Sequence, residues 1–170
     1  MKLIYIIGSL RNPQVPIFER ELIAQGFDVF AEWYGAGERA DESWQAYQDG
    51  LGHSYAEALA SYAAQMVFNF DKTHLIRCDM VVMLMPAGKS GHLELGYARG
   101  LGKPGYILMD KKPERYDVMY NFASGVFFNK MDLFAALRLE NWLKSQEEQN
   151  ANIVPPFANP RPVTARREIE

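Results

Sequence analysis

The sequence predicts an α/β domain: a five-stranded, mainly parallel sheet with helices on both faces. Three observations carry this. The solidly apolar runs at residues 3–7 and 80–85 have the composition of strands buried on both faces. Helical segments alternate with the strands, so each strand feeds a crossover to a parallel neighbour. At 170 residues and 48% hydrophobic, the chain can bury one proper core.

The elements follow in order. Residues 3–7 (Leu-Ile-Tyr-Ile-Ile) are the first strand, which ends in the turn Gly8-Ser9-Leu10-Arg11-Asn12-Pro13. Residues 16–25 read as a helix with Ile17, Leu22 and Ile23 available for burial and Gly26 as its stop. Residues 27–31 are the second strand. The alternation then breaks at residues 32–52, where Trp33, Tyr34, Trp44 and Tyr47 are interleaved with Glu38, Asp41, Glu42 and Asp49. Aromatic and acidic residues beyond a strand's carboxyl end suit a pocket for a flat, hydrogen-bonding ligand, with Trp33 as a binding candidate. An amphipathic insertion whose aromatics simply pack accounts for them equally well.

Residues 54–70 form an alanine-rich helix with Ala56, Leu59, Ala60, Ala63 and Val67 on one side. A shorter helical piece begins at Phe70-Asp71-Lys72 and ends near Cys78. Asp79 opens the third strand, which leads through Pro86-Ala87-Gly88-Lys89-Ser90-Gly91 into a helix with Glu94 in its first turn and Gly102 as its stop. Residues 104–109 and 123–128 are the fourth and fifth strands, with a turn or short helix at 113–119 between them. Residues 131–144 are the last helix. The domain spans 1–144, and a polar, then proline-rich tail at 145–170 has no regular structure of its own. A Rossmann-like sheet in the flavodoxin order 2-1-3-4-5 follows. In that order strands 1 and 3 are neighbours, and the loops at Gly8 and Gly88 face each other across one crevice.

Three residues stand out as chemistry. Glu94, Tyr97, Ala98 and Leu101 share a helix stripe that should face the sheet. A first-turn Glu94 sits at the positive end of the helix dipole, which favours its ionised form. A carboxylate there suits a nucleophile or base, or a capping role. Asp71, at a helix start, is displaced toward the ligand-bearing edge, or simply caps orphan N–H groups. Tyr5 is the one polar-tipped residue of the first strand, and a buried phenol needs a partner, for which Glu94 is available. Asp79 falls at the opposite edge of the sheet, away from the chemistry.

Composition excludes several classes. A net charge of -3 gives no electrostatic reason for nucleic-acid or membrane binding. The single cysteine, Cys78, precludes an intrachain disulfide and points to a reducing, cytoplasmic setting. The short apolar amino terminus reads as neither signal peptide nor membrane span. His53, His74 and His92 have no metal-ligand spacing, so neither a metal nor another cofactor is expected. Gly8-Ser9-Leu10-Arg11 is no G-x-G-x-x-G fingerprint. Gly88-Lys89-Ser90 lacks the first glycine of a P-loop.

From Tyr5 to about Leu133 the sequence resembles the nucleoside 2-deoxyribosyltransferase superfamily, which includes nucleotide N-glycosidases. Ile4-Tyr5 followed by Gly8-Ser9-Leu10-Arg11 carries the resemblance, as do Asp71 eight residues before Asp79, Gly91-His92-Leu93-Glu94-Leu95-Gly96-Tyr97-Ala98 with Gly102-Lys103-Pro104, and Asp117-Val118-Met119. The resemblance implies that Glu94 is the nucleophile toward the anomeric carbon, Asp71 the general acid for the leaving base, and Tyr5 the residue that orients Glu94. It places Gly8, Ser9, Arg11, Gly88, Ser90 and Gly91 around the substrate. It also implies a homodimer or an assembly of dimers, with Asp117 and Met119 completing the neighbour's pocket. The implied activity is transfer of a deoxyribosyl group between bases. Hydrolysis of a nucleoside monophosphate to base and sugar phosphate, or a non-catalytic nucleotide sensor, are the alternatives. Asp117 favours a free 5′-hydroxyl, whereas Arg11, Lys89 and Ser90 could receive a 5′-phosphate.

Overall fold

The computed structural model describes residues 2–151; the proline-rich part of the expected tail lies outside the described residues. Five parallel strands form one sheet in the order β2-β1-β3-β4-β5, as expected: β1 (Leu3–Ile7), β2 (Asp28–Phe30), β3 (Met80–Leu84), β4 (Gly105–Leu108) and β5 (Gly125–Phe127). The helices are α1 (Val15–Ala24), α2 (Ala40–Gly50), α3 (Tyr55–Ala60), α4 (Tyr62–Arg77), α5 (Lys89–Gly100) and α6 (Lys130–Ala151). Short 3₁₀ turns cover Glu32–Ala36 and Val118–Phe122. No helix among the described residues is long and apolar enough to cross a membrane.

Strand alternation splits the core into two layers. Ile4, Ile6, Met80 and Val82 pack with Phe18 and Leu22 of α1 and Leu133 and Leu137 of α6. Tyr5, Ile7, Val81 and Met83 pack on the other face with Leu75 of α4 and with Leu95 and Ala98 of α5. Tyr5 therefore shares a face with the helices that carry Asp71 and Glu94.

Several local expectations are corrected. In α1 the inward residues are Val15, Phe18 and Leu22, spaced i, i+3, i+7, and Ile17 and Ile23 are exposed on the other side. The alanine-rich helix is broken at Ser61, whose backbone is extended and whose hydroxyl accepts from the Ala64 N–H. The second part then runs unbroken through Asp71 to Arg77, so Asp71 is a helix-interior residue and not a cap. Ala56, Leu59, Ala60, Ala63 and Val67 are all exposed in this chain. The last helix continues to Ala151, because Ser145-Gln146-Glu147 contains nothing that stops a helix. Asp79 lies at the lower edge as expected, where it accepts from the Leu3 N–H at 2.8 Å and faces Lys2 at 3.7 Å.

Helix α5 is seated through a glycine. A methyl added at Gly105 would sit 2.8 Å from Cδ of Arg99 and 2.9 Å from Cδ1 of Leu95. Gly105→Ala is therefore expected to push α5 off the sheet at a cost of about 1–3 kcal/mol, read as a lower urea midpoint.

Candidate active site

Helix α5 begins at Lys89 with Gly88 as its N-cap, one turn earlier than the sequence suggests. Ser90-Gly91, read as turn residues, are already helical. The inward stripe is Gly91, Leu95 and Ala98, while Tyr97 and Leu101 are exposed. Glu94 thus falls in the second turn, beside the stripe, and its side chain enters the crevice above β1 and β3.

That crevice is a cleft of about 1320 Å³. Tyr5, Asp71 and Glu94 all line it. So do Gly8, Ser9 and Arg11 from the first turn, Trp33 beyond β2, and Gly88 and Ser90 at the start of α5. Buried Asn12 braces the floor: its side-chain amide reaches the Met85 carbonyl at 3.4 Å, and its side-chain oxygen accepts from the Gln14 N–H at 3.0 Å. The two facing loops are tied together in this way.

The electrostatics are dominated by desolvation. Burial, and then the nearby Asp71 charge, push the Glu94 carboxyl up to about 7. The expectation that the helix dipole favours its ionised form fails, because Glu94 is beyond the first turn and shielded from water. Burial also raises Asp71, with His74 partly offsetting it. Asp71 Oδ1 is shielded from solvent and has no hydrogen-bond partner among the described residues. The Tyr5 phenol, 1% exposed, is pushed far up by burial and then by Glu94 and Asp71. No hydrogen bond joins Tyr5 to Glu94 among the described residues, so Tyr5 feels Glu94 through its charge and not through the expected bond. The ring stacks on Phe30, which stacks in turn on His74.

No protein-family model matches the chain, and no curated protein matches it in sequence. Solved structures do match. The fold resembles that of a 2-deoxyribosyltransferase. The enzyme from Bacillus psychrosaccharolyticus superposes with a TM-score of 0.54 at 20% identity, over 78% of this chain and 90% of its own. A conserved protein from Enterococcus faecalis V583 gives 0.55 at 15% identity, over 82% and 99%. A CMP N-glycosidase from Clostridium botulinum gives 0.48 at 12% identity, over 81% and 99%.

Gly91, expected around the substrate, does not line the cleft, and Asp117 and Met119, expected to complete a neighbour's pocket, lie outside this one. Gly91 is buried beneath it, where a methyl would meet Ile7 at 3.0 Å and Ala87 at 3.2 Å. It lets α5 sit close to β1 and does not touch the cleft. Asp117 and Met119 are exposed, and the Asp117 carboxylate caps the second 3₁₀ turn by accepting from the Met119 N–H at 2.9 Å. Trp44, one of the aromatics of the 32–52 insertion, reaches in from α2, and the structure adds Phe68, Phe70 and Lys72 from α4. Unbroken helix through residues 62–77 would have shown that Phe68 and Asp71 share a side at i, i+3. His92, not singled out from the sequence, ties α5 to the second 3₁₀ turn through the Gly88 carbonyl (2.8 Å) and the Tyr120 hydroxyl (3.1 Å).

Proposed function

We propose that this chain is an enzyme that breaks the N-glycosidic bond of a 2′-deoxynucleoside or its 5′-phosphate, with Glu94 as nucleophile. The observation that carries the reading is a pair of half-buried carboxylates in one cleft, Glu94 and Asp71, both raised by burial, with the Asp71 charge raising Glu94 further. Two carboxyls with one proton between them can do two jobs at once. Glu94, ionised, attacks the anomeric carbon and forms a glycosyl ester. The electron pair of the C1′–N bond leaves with the base, which takes its proton from Asp71. A second base then attacks C1′, releases Glu94, and returns a proton to Asp71. Tyr5 holds the floor beneath both groups.

Hydrolysis, with water in the second half-reaction, is the alternative, and Arg11, Ser9 and Ser90 in the cleft favour a phosphorylated substrate for it. The chain acts as a homodimer. Tyr62, Met66 and Val67 of α4 and Val118, Met119 and Phe122 of the second 3₁₀ turn are exposed large apolar residues, more than isolated surface residues require. In such a dimer Asp117 and Met119 serve the neighbour's cleft. Tyr62→Glu is expected to give monomers by sedimentation and to lower activity.

The test incubates the protein with each deoxynucleoside and deoxynucleotide, with and without a second free base, followed by chromatography. Base exchange means transfer, and free base without exchange means hydrolysis. Identical traces for wild type and Glu94→Ala would sink the reading. The rate should also be bell-shaped in pH. It rises from the acid side as the doubly protonated pair loses one proton. It falls above about 7, where the pair loses its remaining proton and Asp71 has none to give the leaving base. The optimum lies on the acid side of neutrality.

A further inference from the structure

We propose that Trp44 selects the base: its indole N–H donates to a lone-pair acceptor, a carbonyl oxygen or an unprotonated ring nitrogen, on the base of the bound nucleoside. This rests on the nucleoside reading above and adds to it the residue that determines base choice.

The three tryptophans of the chain are in three different states. The Trp33 N–H donates to the Ile6 carbonyl at 2.8 Å, so only its ring face is left for the cleft. Trp142 is 56% exposed on α6, where water serves its N–H. Trp44 lines the cleft, yet its Nε1 is shielded from solvent and meets no acceptor among the described residues. An indole nitrogen can only donate. Leaving such a donor unpaired is unfavourable, and a phenylalanine would pack there without that cost.

Local packing does not account for it. The buried residue of α2 is the polar Gln48, which bonds His53 at 2.7 Å. Another tie of α2 is the pair that Glu42 forms with Arg11 across the cleft mouth. Helix α2 thus presents Ala40, Asp41 and Trp44 to the cleft and not to the sheet. Base binding turns the indole so that its N–H, shielded in the structure, meets the ring edge. The flat walls at Trp33, Phe68 and Phe70 hold a ring without reading its edge. The indole donor reads the edge. It rejects a base that presents an amino group there, because two donors then face each other in a site with little water.

The experiment uses the full chain labelled with ¹⁵N-tryptophan, as Glu94→Gln so that substrate stays uncleaved. The natural 2′-deoxynucleosides are titrated alongside analogues in which one acceptor at a time is replaced by C–H. The expected result is a downfield shift of the Trp44 indole proton with at least one natural nucleoside. Deleting one particular acceptor abolishes that shift and weakens binding about tenfold or more. Trp44→Phe binds that nucleoside and its deletion analogue equally. Nucleosides that move the Trp33 signal while Trp44 stays still overturn the proposal, as does discrimination that survives Trp44→Phe. Binding with the Trp44 response, but no cleavage by wild type, overturns the catalytic reading alone. No binding of any nucleoside, nor of its 5′-monophosphate titrated in the same way, overturns both.

Discussion

Glu94→Gln loses N-glycosidic cleavage by about three orders of magnitude or more and makes the folded protein more stable at pH 8. The first effect follows from removing the atom that attacks C1′. The second follows from linkage. The Glu94 carboxyl is raised from 4.5 to about 7 in the folded chain. The native state therefore holds a proton that the unfolded state has released. Stability is highest below about 4.5 and falls as pH rises toward about 7, beyond which a buried charge persists. Glutamine is neutral throughout, so its gain at pH 8 is about 1–3 kcal/mol, a rise of a few degrees in Tm. At pH 4 the gain vanishes. Thermal unfolding of both proteins at the two pH values checks it. A Glu94 that merely capped a helix would give the opposite sign at pH 8.

Asp71→Asn is expected to lower the rate on ordinary nucleosides by about 10²–10⁴-fold. The loss should shrink toward nothing for deoxyribosides whose leaving group departs without a proton. A packing defect would slow both alike. The pH profile should change as well. Asp71 is one of the groups that raise Glu94, so without its charge Glu94 ionises at lower pH. The acid limb becomes Glu94's own ionisation, which lies no lower than the pair's first proton loss, so the limb does not move down, and the fall above neutrality disappears because no second proton remains to be lost. Rates on two leaving groups across pH measure both.

The sheet was legible because its signal is redundant. The runs at 3–7 and 80–85 are too apolar for anything but central strands, and the parallel order then brings Gly8 and Gly88 together without further information. Glu94 was legible for the same reason, as a carboxylate just past the carboxyl end of β3. Helix phase was not. Ser90-Gly91 has turn composition, yet both are helical, and the glycine serves there as a close contact with Ile7, which a methyl would meet at 3.0 Å. That one-turn error carried the wrong sign for the Glu94 proton affinity. Asp71 looked like a cap because Phe70-Asp71-Lys72 follows a run with its own alanine-rich signal. The break fell instead at Ser61, where a hydroxyl cap competes with continued helix. Alanine-rich α3 and α4 are apolar on several sides, so composition cannot say which side turns toward the sheet. Trp44 was legible only as one of the aromatics of the 32–52 insertion that suit a pocket. Its unpaired N–H is a property of three-dimensional surroundings.

The most direct test of the central claim is the mass of the protein itself. Wild type is mixed with a 2′-deoxynucleoside in the absence of a second base, quenched in acid during turnover, and examined intact and after proteolysis. The account predicts an added mass of one deoxyribosyl unit, carried by the peptide that contains Glu94 and absent from Glu94→Gln. Steady base release with no adduct, or an adduct on a different residue, would contradict it.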